Sequence, residues 1–257
     1  MNLSETAFVA NAWTKGSKQA NNTFTLRWFT PTIEIELCGH ATIAAARALF
    51  DSHLKGSDNT IKFETKFKGT LEAIRFTEND FSIDLPLNDC KPIDRNKNLW
   101  IEDIIENTLG SEVTQNDIKS VELSEETKYL LIGLKDSVED LISKVSPDFD
   151  KLLRIDTKDT VKAVFVTQRP KDDKSIHFYS RFFAPWLGVN EDPVTGSAHT
   201  VLAPYWMRQY KQNGLEIKEL IGKQCSKRGG IVCCRIDGDR VHLRGTTRIV
   251  VTGKLNL

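Results

Sequence analysis

Two short stretches of the chain place a Gly-x-Ala step at the head of an apolar run and surround it with reactive side chains. The first holds Glu36, Cys38, Gly39, His40 and Thr42; the second holds Asp192, Thr195, Gly196, Ser197 and His199. A helix starting at such a step presents unpaired N–H groups and the positive end of its dipole, which bind anions. Glycine lets a ligand come close to the backbone there. Two such starts converging on one cleft suit a small substrate that carries a carboxylate. Capping explains one polar residue per helix, Thr195 or Cys38, but not the whole set. His40 by itself reads equally as a site residue or a structural one. His199, further along an apolar helix, reads more readily as structural.

The elements that must position these groups form an internal repeat. The first copy runs Ala7-Phe8-Val9, then Phe24-Thr25-Leu26-Arg27-Trp28-Phe29-Thr30-Pro31, then Glu36-Leu37-Cys38-Gly39-His40-Ala41. The second runs Ala163-Val164-Phe165-Val166, then Phe178-Tyr179-Ser180-Arg181-Phe182-Phe183-Ala184-Pro185, then Asp192 to Ala198. The shared skeleton is a strand, a turn, F-x-x-R-aromatic-F-x-P, an acidic residue and a Gly-x-Ala helix start. Two copies imply two homologous lobes. Residues 5–13 with 22–29, and 161–168 with 175–183, read as hairpins, the first around Lys15-Gly16-Ser17. The helices Ala41 to Phe50 and Ala198 to Met207 are apolar nearly all round, so each reads as buried, with Pro204 kinking the second or ending its first segment. Strands are expected at 60–67, 70–76 and 81–85 after the first helix, and at 230–236, 240–244 and 248–255 after the second. In the middle, Leu99 to Leu109 is a helix closed by Gly110. Residues 117–134 form two strands, and Ser137 to Lys144 and Pro147 to Leu153 form further helices. This is an α+β chain, with a sheet curled around one helix per lobe. The boundary falls in Asp89-Cys90-Lys91-Pro92, giving lobes 1–91 and 92–257.

Composition narrows the function. The chain has 257 residues, 35 basic and 35 acidic side chains and 40% apolar residues, as a globular protein has. Zero net charge argues against nucleic acid as a partner, since that role shows a basic stripe. The uncharged apolar runs are too short for a membrane span, and Met1-Asn2-Leu3-Ser4-Glu5 lacks the features of a signal peptide. The five cysteines form no CxxC pair, and adjacent Cys233-Cys234 lacks zinc-finger spacing. They read as reduced thiols in a cytoplasmic protein, with no metal and no cofactor expected.

Ser4-Glu5-Thr6-Ala7-Phe8, Cys38-Gly39-His40-Ala41-Thr42 and Glu191-Asp192-Pro193-Val194-Thr195-Gly196-Ser197-Ala198 together resemble the signature segments of the phenazine-biosynthesis-like (PhzF) family, in particular its animal members. The resemblance extends over essentially the whole chain. It implies the diaminopimelate-epimerase-like fold of two pseudo-symmetric lobes, which agrees with the repeat, and an isomerase without a cofactor. It assigns the catalytic roles to Glu5, His40, Asp192 and Ser197, with Glu5 as the acid/base that moves a proton on carbon. Without it, Glu5 reads as an exposed carboxylate at a strand edge. Such chemistry needs a base in a desolvated cleft and fixed donors for the developing charge. The N–H groups near Gly39, Thr195 and Gly196 suit the second task. Asp192 either pairs with a substrate amine or orients His40. A homodimer is a further expectation.

Related racemases place a thiol at each helix start. Here Cys38 precedes Gly39 but Thr195 precedes Gly196, so a two-thiol mechanism is rejected. A Cys38/His40 hydrolase is disfavoured because side chains at i and i+2 are expected to point apart. Family members carry about forty residues before the S-E-T motif, whereas three precede Ser4 here. The resemblance therefore implies an exposed sheet edge in the first lobe. That edge motivates the competing reading, a non-catalytic binding or interaction protein on the same fold.

Overall fold

The computed structural model describes residues 5–11, 22–52, 59–136 and 140–254. Ser4, the Lys15-Gly16-Ser17 turn and Ser137 lie outside them. The chain divides into two units, Met1–Leu85 with His242–Leu257, and Pro86–Val241. The division falls six residues before the one expected from sequence, and the C-terminal stretch returns to the first unit.

In the first unit, alternation decides which faces turn inward. Strand β1 (Thr6–Asn11) pairs antiparallel with β2 (Thr23–Phe29), Thr6 opposite Phe29. Phe24, Leu26 and Trp28 of β2 are buried, while Arg27 between them faces out. After the short β3 (Glu34–Ile35) comes α1 (Gly39–Ser52), which crosses over so that β4 (Thr60–Thr65) lies parallel to β2. Strands β5 (Gly69–Arg75) and β6 (Asp80–Pro86) continue the sheet antiparallel. Ile61, Phe63, Leu71, Ala73, Phe81 and Ile83 form the core with Phe50 of α1, whose ring lies 5.6 Å from that of Phe81.

The second unit repeats this order behind an added layer. Its elements are β7 (Lys91–Pro92), α2 (Trp100–Leu109), β8 (Ile118–Ser124), β9 (Tyr129–Leu134), α3 (Leu141–Lys144) and α4 (Phe149–Arg154). There follow β10 (Ala163–Gln168), β11 (Phe178–Phe183), α5 (Gly196–Gln212), β12 (Leu220–Gln224) and β13 (Gly230–Asp237). The hairpin β10–β11, the crossover α5, the parallel pair β11–β12 and the antiparallel pair β12–β13 reproduce β1–β2, α1, β2–β4 and β4–β5. The repeat read in the sequence is thus a repeat of strand pairing. The final strand, β14 (Arg240–Thr246), passes into the first unit at His242.

Strand β10 is buried at all six positions. One face, through Val164 and Val166, packs on the apolar side of α2 at Ile101, Ile104, Ile105 and Leu109. On the other, Thr167 accepts a hydrogen bond from Trp206 Nε1 of α5 at 2.9 Å. A strand covered on both faces reads as a continuous apolar run.

Four expectations need correction. Pro204 neither ends nor interrupts α5, which runs to Gln212. The carbonyl that a non-proline residue 204 would bond, Thr200 O, accepts instead from Asn88 N–H at 3.3 Å, and Asn88 Nδ2 donates to Thr200 Oγ1 at 2.8 Å. Residues 248–254 form no strand, and Val250 and Val251 lie exposed, since no neighbouring strand among the described residues pairs with them. Strand β12 was missed because it is short and contains Gly222, where a Cβ would stand 2.3 Å from the Phe178 ring. Helix α1 is not enclosed. Ala44 and Ala48 are exposed, whereas α5 is buried continuously from Ala198 to Trp206. Ala48 and Tyr205 stand at equivalent places, each nine residues after its helix-start glycine. Tyr205 is covered by β8 and β9, its hydroxyl 2.9 Å from Ser120 Oγ. Strand β10 has β9 as its outer neighbour, while β1 ends its sheet among the described residues.

Candidate active site

Pairing register fixes the first group of residues. The β1–β2 ladder begins at Thr6, and β2 returns through β3 to the head of α1. Glu5, one residue before the ladder, therefore meets the residues around Gly39. Its Oε2 lies 3.0 Å from His40 Nε2, with the Glu5 side chain 11% exposed and that of His40 31%. Cys38 is buried, its Sγ 3.7 Å from both ring nitrogens of His40. The expectation that these two side chains diverge is thereby overturned. Cys38 precedes the first helical residue, so helical spacing does not govern its direction. A sulfur equidistant from Nδ1 and Nε2 lies on the lone-pair axis of neither, so the pair is not built for thiol-to-imidazole proton transfer. Thr42 N and Oγ1 donate to the Cys38 carbonyl at 3.0 and 2.7 Å and hold this turn. Glu36 falls out of the site, exposed and paired with Lys68 at 3.1 Å.

Glu5 and His40 stand on the wall of a cavity of about 700 Å³ inside the first unit. Its other walls are β1 and the alanine face of α1 at Ala41, Ala44, Ala45 and Ala48. Among the described residues, the potential ligand atoms of Glu5, Cys38 and His40 lie within 4.8 Å of one another.

In the second unit, Asp192, Thr195, Gly196 and Ser197 gather at the head of α5. Asp192 is 7% exposed and accepts a hydrogen bond from Thr195 Oγ1. Thr195 occupies the N-cap position of α5, yet its side chain caps nothing because it donates to Asp192. Gln224 of β12 joins the turn from below. Its Nε2 donates to Asp192 O at 2.6 Å, and its Oε1 accepts from Thr195 N–H at 2.8 Å. Ser197 Oγ lies 3.1 Å from Tyr129 Oη, whose ring is packed edge-on against Phe165 and Phe182. Burial raises the Tyr129 pKa above the phenol value, so its hydroxyl stays protonated. Neither Tyr129 nor Gln224 carries a local sign in the sequence, since both come from strands remote from the motif.

His199 is structural. It is fully buried and held at about 4, well below its ordinary value, because burial disfavours the cation. Its Nδ1–H donates to Thr195 O at 2.7 Å, which fixes the neutral tautomer.

The repeated arginines brace the approaches to both helix starts. Arg27 grips Glu34 at 2.7 and 2.9 Å, and Arg181 grips Glu191 at 2.8 and 3.0 Å. The Arg27 hydrogen bond takes Glu34 down to about 2. These forks explain the conserved spacing within the repeat without placing either arginine in the chemistry.

A sequence model of the family described as phenazine biosynthesis-like protein, PhzC-PhzF, matches residues 1–254. A phenazine biosynthesis-like domain-containing protein of Bos taurus is 40% identical over 261 residues, covering 99% of this chain and 85% of its own. An uncharacterized isomerase of Pseudomonas aeruginosa is 36% identical over 261 residues, covering 100% of this chain and 84% of its own. The crystal structure of a PhzF-family protein of Enterococcus faecalis superposes with a TM-score of 0.75 at 33% identity, covering 100% of this chain and 84% of that one. The fold is thus the α+β arrangement of PhzF and epimerase-like proteins. No helix among the described residues is long and apolar enough to cross a membrane.

Proposed function

The chain belongs to the PhzC-PhzF family of phenazine biosynthesis-like proteins, and from that premise we propose that it is an isomerase moving a proton on carbon of a small carboxylate-bearing substrate. The observation that carries the reading is the Glu5–His40 pair at the head of α1, 3.0 Å apart on a cavity wall. Glu5 takes the proton from the carbon beside an electron-withdrawing group. The C–H pair moves into the adjoining π system, and the same carboxyl returns the proton to the new position. His40 orients the carboxylate and shares its proton while the charge develops. Within the first unit, the N–H group at Gly39 is assigned to an anionic oxygen of the substrate. Within the second unit, the head of α5 at Thr195 and Gly196 suits an anionic group, Asp192 an amine, and Ser197, set by Tyr129, a polar group. No cofactor takes part in this scheme.

The test is incorporation of deuterium from D₂O into a panel of small amino- and hydroxy-carboxylates, followed by NMR. Exchange at carbon by the parent chain supports the reading; a complete absence across the panel counts against it. A second reading, a binding protein on the same fold, rests on the outer edge of β1 and the exposed Ala44 and Ala48 beside it. It predicts a self-associating chain by light scattering whose melting temperature ignores small carboxylates.

A further inference from the structure

The helices that open at Gly39 and Gly196 present equivalent faces built from different side chains. In α5 that face is Ala198, Val201, Leu202, Tyr205 and Trp206, all buried. In α1 the same places hold Ala41, Ala44, Ala45, Ala48 and Leu49, so four of the five side chains are smaller. The space they give up belongs to the cavity of about 700 Å³ between this face and β1. Helix α1 is the crossover between the parallel strands β2 and β4, so it runs antiparallel to them and in the same direction as β1. The cavity is therefore a trough with two distinct ends. Glu5 and His40 mark one, Asn11 and Ser52 the other. Between them the wall is apolar, through Ala7, Val9, Phe24 and the alanine face, and among the described residues no charged side chain lines it. From Ala41 to Ser52 the helix advances about 17 Å.

We propose that the trough binds an unbranched apolar chain whose carboxylate head lies at the Glu5–His40 end. That such a molecule is the substrate rests on the isomerase reading; that it binds does not. A short amino or hydroxy acid fills only the polar end and leaves the alanine face in water. Alanines at i, i+3, i+4 and i+7 form a bed that is long and narrow, which an extended chain covers along its whole length and a compact ring does not. The head meets the N–H group at Gly39, while the tail displaces water from Ala41, Ala44, Ala45 and Ala48. Such a site has the usual make-up of a ligand pocket, an apolar lining with a few polar groups gathered at one place. Ser52 and Asn11 are exposed, so the far end opens to solvent. The second unit carries no such bed, because Val201, Leu202 and Tyr205 fill the equivalent places.

The experiment is calorimetric titration of the full chain with straight-chain carboxylates from butanoate to dodecanoate, each below the concentration at which it aggregates. Every added methylene is expected to tighten binding about three- to fourfold, up to dodecanoate, whose extended length about matches the trough. Ala48→Tyr gives α1 the side chain that α5 carries at the equivalent place. It is expected to weaken decanoate at least about tenfold relative to butanoate, because the ring occupies the bed. A flat series in the parent overturns the proposal. So does a chain-length dependence that Ala48→Tyr leaves intact, which would place the tails on another apolar surface such as the exposed Phe8. If Ala48→Tyr does not fold, Ala44→Val decides, a fall of about threefold in the same ratio being expected and an unchanged ratio overturning the site. Because no turnover is measured, a flat series leaves the deuterium test untouched, and a failed deuterium test leaves the titration standing.

Discussion

At the residue scale, the function rests on side chains whose roles are set by what surrounds them. His40 and His199 each follow a helix-start glycine, yet one lines a cavity beside a carboxylate and the other is sealed in a core. Burial holds His199 at about 4 against an ordinary value near 6.5. The unfolded chain therefore binds a proton in that window that the folded chain does not, and stability falls as pH drops from about 6.5 to 4. The loss from this residue amounts to about 3 kcal/mol at the acid end. Denaturant melts across pH 4–7 should show it, and His199→Gln should flatten that slope. Gln224 presents the opposite case, a buried amide bonded at both ends to the turn before α5. Gln224→Leu removes the bonds to Thr195 N–H and Asp192 O and should cost about 2–4 kcal/mol. If the melt of that variant matches the parent, the turn is held by something else. His40, Asp192 and Ser197 were legible in the motifs, and Glu5 through the family pattern. Tyr129 and Gln224 were not, because their part in the site arises from strand neighbours that no local pattern encodes.

At the scale of elements, periodicity found most strands and every long helix, and its failures share a cause. Pro204 was expected to kink the helix or end its first segment because propensity takes the helix in isolation. In the fold, Asn88 supplies the missing donor to Thr200 O from another segment. Residues 248–254 have strand composition but no partner strand among the described residues, and β12 has a partner but a glycine where the pattern wants a side chain. The end of α2 was legible because its requirement is local. Gly110 adopts φ +79°, its N–H bonds Glu106 O at 3.1 Å, and a Cβ there would stand 2.7 Å from Ser146 O. Gly110→Ala should therefore destabilise the chain by about 2 kcal/mol or more, from left-handed strain plus the contact. Equal stability would mean that the turn rebuilds at little cost.

At the scale of the molecule, the repeat is the feature from which the rest follows. It was visible in sequence because the same pairing scheme needs the same apolar strands, the same arginine fork and the same glycine at the helix start. What the sequence left hidden is where the copies differ. The second unit adds β8 and β9 over Tyr205, while Ala48, at the equivalent place in the first, faces a cavity. That cavity bears Glu5 on its wall, so the central claim is that a carboxylate beside His40 moves a carbon-bound proton. The most direct measurement is the rate of deuterium incorporation from D₂O into an exchanging carboxylate, parent against Glu5→Gln, with both chains shown to be folded. The account predicts a loss of about 10²–10⁴-fold in the variant. Exchange at the parental rate in Glu5→Gln would contradict it.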